Sequence, residues 1–142
     1  MAVILVVDDE APVRHVLARW VEGAGHEVRE AESAEAALRA VETQLPRVVF
    51  SDIQMPGRDG LWLTAELRRR HPATAVVLAT GVSTVAPRIS MQAGVIAYLV
   101  KPFSKASVME ALSLALDWQP EPALSPGATT AEQLQTWLDS LD

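Results

Sequence analysis

The sequence predicts an α/β fold, a parallel sheet with helices packed on both of its faces. Two observations predict it. Five short apolar runs recur along the chain, and each is followed by a stretch with apolar residues at helical spacing. Four of the runs are also nearly continuous in apolar residues rather than alternating, the pattern of strands buried on both faces. Repeated strand-then-helix units of this kind build parallel sheets with the helices as crossovers.

The first predicted strand is Ala2–Val7, and Asp8 and Asp9 end it. Val13, Val16, Leu17, Trp20 and Val21 then form one apolar stripe of a helix, with Pro12 near its first turn and Gly23 and Gly25 at its exit. Glu27–Ala31 contains only Val28 and Ala31 as apolar residues and fits an edge strand. A second helix follows through Ala34, Ala37, Leu38 and Val41, with Ser33 placed to cap it. Val48–Phe50 is the third strand. The third helix starts at Asp59 and ends in Arg68-Arg69-Arg70-His71, where positive charge suits a helix C-terminus, and Pro72 stops it. Ala75–Ala79 is the fourth strand, and a short helix around Ala86–Ala93 is expected before Gly94. Val95–Val100 is the fifth strand. The fifth helix starts at Ser104 and is expected to bury Val108, Ala111, Leu112, Ala115 and Leu116.

Residues 1–118 thus read as one domain, and 142 residues suffice for one sizeable core rather than two. Residues 119–129 read as a linker, since PEPALSPGATT carries three prolines and a glycine. Residues 130–142 read as a short amphipathic helix, with Leu134, Trp137, Leu138 and Leu141 on one face. The net charge of −6 provides no electrostatic footprint for nucleic acid and no basic stripe for an anionic membrane. The absence of cysteine excludes disulfides, thiolate metal sites and cysteine nucleophiles. The apolar opening of seven residues is too short for a signal peptide core or a membrane span. A cytoplasmic protein is expected.

In a parallel sheet, reactive groups gather beyond the carboxyl ends of the strands. Asp8 and Asp9 follow the first strand, Asp52 the third, Thr80 the fourth and Lys101 the fifth. The fold would therefore bring three carboxylates, a hydroxyl and an ammonium to one edge. Two like charges ~4 Å apart repel by roughly 4 kcal/mol at an intermediate dielectric, so a cation must offset the cluster or one group must protonate. An all-oxygen acidic site suits a hard ion, Mg2+ or Mn2+. Such a site also suits phosphoryl transfer, which needs mainly positioning and electrostatic stabilisation. Asp52 would be the nucleophile, with Lys101 and Thr80 contacting the phosphoryl oxygens. Singly, each residue has an ordinary explanation as a cap, a loop or a strand exit. The coincidence of all five with unit boundaries is what argues for a site.

These residues closely resemble the receiver domain of bacterial two-component response regulators. The resemblance rests on VVDDE at Val6–Glu10, SDIQMPGRDG at Ser51–Gly60, AT at Ala79–Thr80 and AYLVKPF at Ala97–Phe103. It implies the flavodoxin-like strand order 2-1-3-4-5. It also implies phosphorylation of Asp52 by a sensor histidine kinase or a histidine phosphotransfer protein. Metal ligation would come from Asp9, Asp52 and the backbone carbonyl of Gln54, with Asp8 acting mainly through water. A cis peptide between Lys101 and Pro102 belongs to the same pattern. So does a switch in which Thr80 moves toward the phosphoryl group and Tyr98 turns inward, altering the surface of the fourth helix, fifth strand and fifth helix. Gln54 and Val82 occupy positions that tune phosphoryl lifetime; Val82 cannot orient an attacking water, which predicts slow self-dephosphorylation.

Several residues stand outside this pattern. Trp62 reads as a half-buried ring packed on Glu66, or as an aromatic for docking a partner. Leu114 and Trp118 lie off the buried stripe and need a cover, from the tail helix, a second copy or a target. His15, His26 and His71 are scattered and suggest no metal site. A single-domain response regulator is the leading reading, signalling to a downstream protein target, with no direct nucleic-acid or membrane binding. Whether phosphorylation makes a homodimer stays open. Alternatives are a receiver fragment of a larger regulator or hybrid kinase, which the start at Met1 and the helix-like end weigh against, and a non-phosphorylated pseudo-receiver. A haloacid dehalogenase-type phosphatase would need a second Asp two residues after its nucleophile, where this chain has Gln54 or Glu10.

Overall fold

The computed structural model describes residues 1–81 and 95–119. Its elements are β1 (Val3–Val7), α1 (Ala11–Gly23), β2 (Glu27–Ala31), α2 (Ala34–Thr43), β3 (Val48–Asp52), α3 (Gly60–Arg70), β4 (Ala75–Thr80), β5 (Val95–Val100) and α4 (Lys105–Asp117). The last helix is the fifth of those predicted. The expected fourth helix, Val82, the linker from Pro120 onward and the tail helix lie outside the described residues. The five strands are all parallel, in the order β2-β1-β3-β4-β5.

Successive side chains of a strand point to opposite faces, so each apolar strand supplies both layers at once. Ile4 and Val6 join Leu17, Val21, Phe50, Val77, Val108 and Leu112 beneath α1 and α4. Leu5 and Val7 join Val41, Val49, Leu63, Leu67 and Leu78 beneath α2 and α3. Both strand faces are buried along β1, β3 and β4, while β2 at the edge buries only Ala31.

Helix starts follow the local chemistry. The Ser33 side chain accepts from the Ala36 amide and that of Asp59 from the Trp62 amide, so Asp59 caps α3 rather than belonging to it. Ser104 caps α4 in a reciprocal box with Ser107. At the far end of α4, the Arg47 guanidinium donates to the carbonyls of Leu116 (2.9 Å) and Trp118 (2.6 Å), groups the helix itself leaves unpaired.

Two packing expectations change, at Val16 and Leu116. Val16 is 44% exposed, and Ala18 is buried in its place because α1 presents the Leu17–Ala18–Val21 side to the sheet. Trp62 is half-buried, as expected, and the Arg58 guanidinium lies 5.3 Å from its ring centre, while Glu66 pairs with Arg69 and Arg70. Leu116 is only half-buried. Leu114 is 51% exposed, as its place off the stripe implies. Trp118, by contrast, packs on the first core layer with Arg68 5.7 Å from its ring centre.

Candidate functional site

The parallel register decides which side chains meet. Val7 pairs with Ser51 on one side and Ala31 on the other, so Asp8 emerges level with Asp52 at the end of β3 and one step beyond β2. Asp52 pairs with Ala79 and Thr80 with Val100, which places Lys101 one step beyond β5. Backbone bonds carry the ladder past the strand ends: Asp8 N donates to Ala31 O, Ile53 N to Ala79 O and Lys101 N to Thr80 O. The reactive groups therefore start from backbone fixed by the sheet.

The Lys101 ammonium reaches back across this edge and donates to Asp8 Oδ2 at 3.0 Å and Asp52 Oδ2 at 3.1 Å. Glu10 Oε1 lies 3.7 Å from the same nitrogen. Carboxylate oxygens of Asp8, Asp9, Glu10 and Asp52 all fall within 4.8 Å of one another. Asp8 and Asp52 are buried, at 3% and 5% exposure, while Asp9 and Glu10 face solvent. Asp52 Oδ1 accepts from the Gln54 amide at 3.2 Å, and Asp8 Oδ1 from the Glu10 amide at 2.9 Å. The Lys101–Pro102 peptide is cis, as the family pattern implies.

Burial pushes the Asp52 carboxyl above the usual range, and the neighbouring Asp8 adds to that, while Lys101 and the Gln54 amide oppose it. For Lys101, burial alone would lower the ammonium, but hydrogen bonds to Asp8 and Asp52 outweigh it and hold the group above its ordinary value. One ammonium against four carboxylates leaves the edge acidic. The donors are all hard oxygens and lie close enough to share one ion, so the residues fit a small divalent cation such as Mg2+ or Mn2+.

Thr80 is buried at the end of β4, beside β3. Gln54 contributes its backbone here, since its side chain is exposed. Tyr98 does not join the acidic cluster. Its ring packs on the second core layer, and its buried hydroxyl has no hydrogen-bond partner among the described residues. Glu10 and Gly60 are among the contributors that escaped the sequence reading. Glu10 enters the cluster, and the only signal for it was its place directly after the two aspartates. Gly60 brings the first turn of α3 against β3, so close that a Cβ there would lie 2.3 Å from the Asp52 carbonyl oxygen.

The sequence pattern of the response regulator receiver domain matches residues 4–113. The chain belongs to that family. Among relatives of this receiver domain, the DNA-binding transcriptional regulator NtrC of Klebsiella pneumoniae is 41% identical over 99 residues, covering 69% of this chain and 21% of NtrC. The transcriptional regulatory protein PdtaR of Mycobacterium tuberculosis is 35% identical over 136 residues, covering 94% of this chain and 66% of PdtaR. The solved receiver domain of NtrX from Brucella abortus superposes with a TM-score of 0.75 at 36% identity, covering 80% of this chain and 98% of that one. A CheY-like receiver domain from Methanospirillum hungatei gives 0.77 at 26% identity, covering 82% and 94%. The receiver domain spans about a fifth of the length of the NtrC relatives it matches. Among the described residues, no helix is long and apolar enough to cross a membrane.

Proposed function

We propose that this receiver domain is a phosphorylation switch in which Asp52 accepts a phosphoryl group from a histidine of a sensor kinase or phosphotransfer protein. A carboxylate oxygen of Asp52 attacks phosphorus, the phosphorus–nitrogen bond breaks, and the electron pair returns to the imidazole of the donor. The observation that carries this reading is the Lys101 ammonium 3.1 Å from a buried Asp52 carboxylate at an acidic sheet edge. Lys101 opposes the rise that burial gives the Asp52 carboxyl and stands ready to contact an oxygen of the incoming group. Asp9 and Asp52 would hold the metal together with the Gln54 carbonyl, with Asp8 acting through water. When bound there, Mg2+ would supply positive charge against the phosphoryl oxygens.

The signal then passes through Thr80 and Tyr98. Thr80 closes on the phosphoryl group and Tyr98 turns inward, changing the surface of β5 and α4; the fourth helix that the sequence predicts for the same surface lies outside the described residues. The phosphoryl group must bind that active arrangement better than the resting one by a few kcal/mol. Val82 and Gln54 set a slow hydrolysis. In this reading residues 1–118 are the switch, 119–129 a linker and 130–142 a short helix, and the output is a protein contact, without direct nucleic-acid binding. A second reading draws on the lengths of the relatives: the chain is the receiver portion of a larger regulator, as NtrC and NtrX are larger than their receivers.

Intact mass measured after treatment with a small phosphodonor and Mg2+ tests the chemistry. The expected result is one added phosphoryl group in the wild type and none in Asp52→Asn. Equal labelling of both would remove Asp52 from its role.

A further inference from the structure

The turn that carries Asp8, Asp9 and Glu10 is short, with Asp8 buried and Asp9 and Glu10 facing solvent. One side chain outside the acidic cluster holds it. Arg14, in the first turn of α1, donates through Nη1 to the backbone carbonyl of Asp8 at 2.8 Å and through Nε to Glu30 Oε1 at 3.0 Å. Glu30 stands near the end of the edge strand β2, where His15 also approaches it at 3.4 Å. The Arg14 backbone amide closes the other side of the turn by donating to Glu10 O at 3.0 Å. The Arg14 side chain is only 14% exposed, so its bond to the Asp8 carbonyl is partly shielded from competing water, while Glu30 faces solvent.

We infer that Arg14 is a positioning residue for the acidic pocket: its guanidinium ties the Asp8 carbonyl to Glu30 and thereby fixes where the Asp8 and Asp9 carboxylates stand. This inference rests on the phosphoacceptor reading. The geometry needs a planar fork with two donors engaged on different acceptors, which a lysine ammonium cannot reproduce with the same fixed angles. Groups that orient metal ligands without touching the metal typically change affinity by about 10–100-fold when removed.

Charge and positioning predict opposite signs here. Arg14 is a cation near a cation site, so electrostatics alone would make its removal tighten Mg2+ binding. Positioning makes its removal weaken binding. The test is calorimetric titration of Mg2+ into the whole chain as wild type, Arg14→Met and Arg47→Met. Arg47 also donates to backbone carbonyls, but it lies at the other end of β3 and serves as the control for a purely structural loss. The expected result is a loss of about tenfold or more for Arg14→Met, with Arg47→Met unchanged in affinity although lowered in melting temperature. Affinity in Arg14→Met equal to or tighter than wild type overturns the inference. Should Arg14→Met not fold, Arg14→Lys keeps the charge and is expected to bind several-fold more weakly; wild-type affinity in that variant overturns the inference equally. Absence of Mg2+ binding by the wild type would instead overturn the phosphoacceptor reading on which the inference rests.

Discussion

Asp52 is a carboxylate held where burial disfavours its charge. Its pKa is raised by burial first, with Asp8 adding to the rise and Lys101 opposing it. The folded chain therefore binds a proton at Asp52 more readily than the unfolded chain does. Stability consequently falls as pH rises from the ordinary carboxylate value of 3.8 through the raised one, and the full cost is present above it. Asn at this position removes the charge while keeping size and an acceptor for the Gln54 amide. Lys101 still keeps Asp8 at 3.0 Å. In chelator at neutral pH, Asp52→Asn is therefore expected to melt higher than wild type, by a few degrees, the size of roughly 1 kcal/mol in a domain of this length. The gap should close as pH is lowered toward 3.8. Melting curves for the two proteins across that pH range check it; an Asn variant that melts lower at neutral pH would show that pairing with Lys101 outweighs burial.

At the scale of elements, β3 and α3 meet at Gly60. A methyl group there would lie 2.3 Å from the Asp52 carbonyl oxygen and 2.9 Å from Ile53 Cα, and both obstacles are backbone. The Gly60 amide also donates to Ile53 O at 2.9 Å, so the helix cannot retreat without losing that bond. Alanine normally favours a helix by about 1 kcal/mol over glycine, but overpacking against rigid backbone typically costs about 1–3 kcal/mol or more. Gly60→Ala is expected to lower stability by roughly 2 kcal/mol and to reduce labelling of Asp52, because the displaced atoms belong to that residue. Denaturant melts beside intact mass report both; unchanged stability would mean that α3 can slide. Sequence patterning reached these elements unevenly. It found all five strands, yet ended the third at Phe50, because Ser51 and Asp52 are polar residues inside the sheet. It assigned Val16 to a buried stripe because the helical period allows a wider face than the two-layer packing uses. The close approach at Gly60 has no signature in hydrophobic patterning, since it depends on how the loop after β3 folds the start of α3 back onto Asp52 and Ile53.

At the scale of the molecule, the acidic site exists because parallel topology sends β1, β3, β4 and β5 to end on one edge. That much was legible from strand ends alone. Arg14 and Glu10 were not legible as contributors, because their roles depend on how α1 leaves the sheet. The core layer beneath α2 and α3 reaches Ile53 and Met55, and at the edge one lysine stands among four carboxylates joined by hydrogen bonds. A cation that binds the folded edge and not the unfolded chain must stabilise the whole domain, by about 2.7 kcal/mol at a hundredfold excess over its dissociation constant. Screening by ordinary salt also relieves exposed charge, with a Debye length of about 10 Å at 0.1 M, but reaches buried groups far less. Because Asp8 and Asp52 are buried, Mg2+ should act beyond screening. Melting temperature is expected to climb with the logarithm of Mg2+ concentration in the wild type and to respond much less in Asp9→Asn. NaCl matched in ionic strength should give only a small rise in both. If NaCl matched the Mg2+ effect, the edge would be relieved by general screening, and its four carboxylates would not form an ion site.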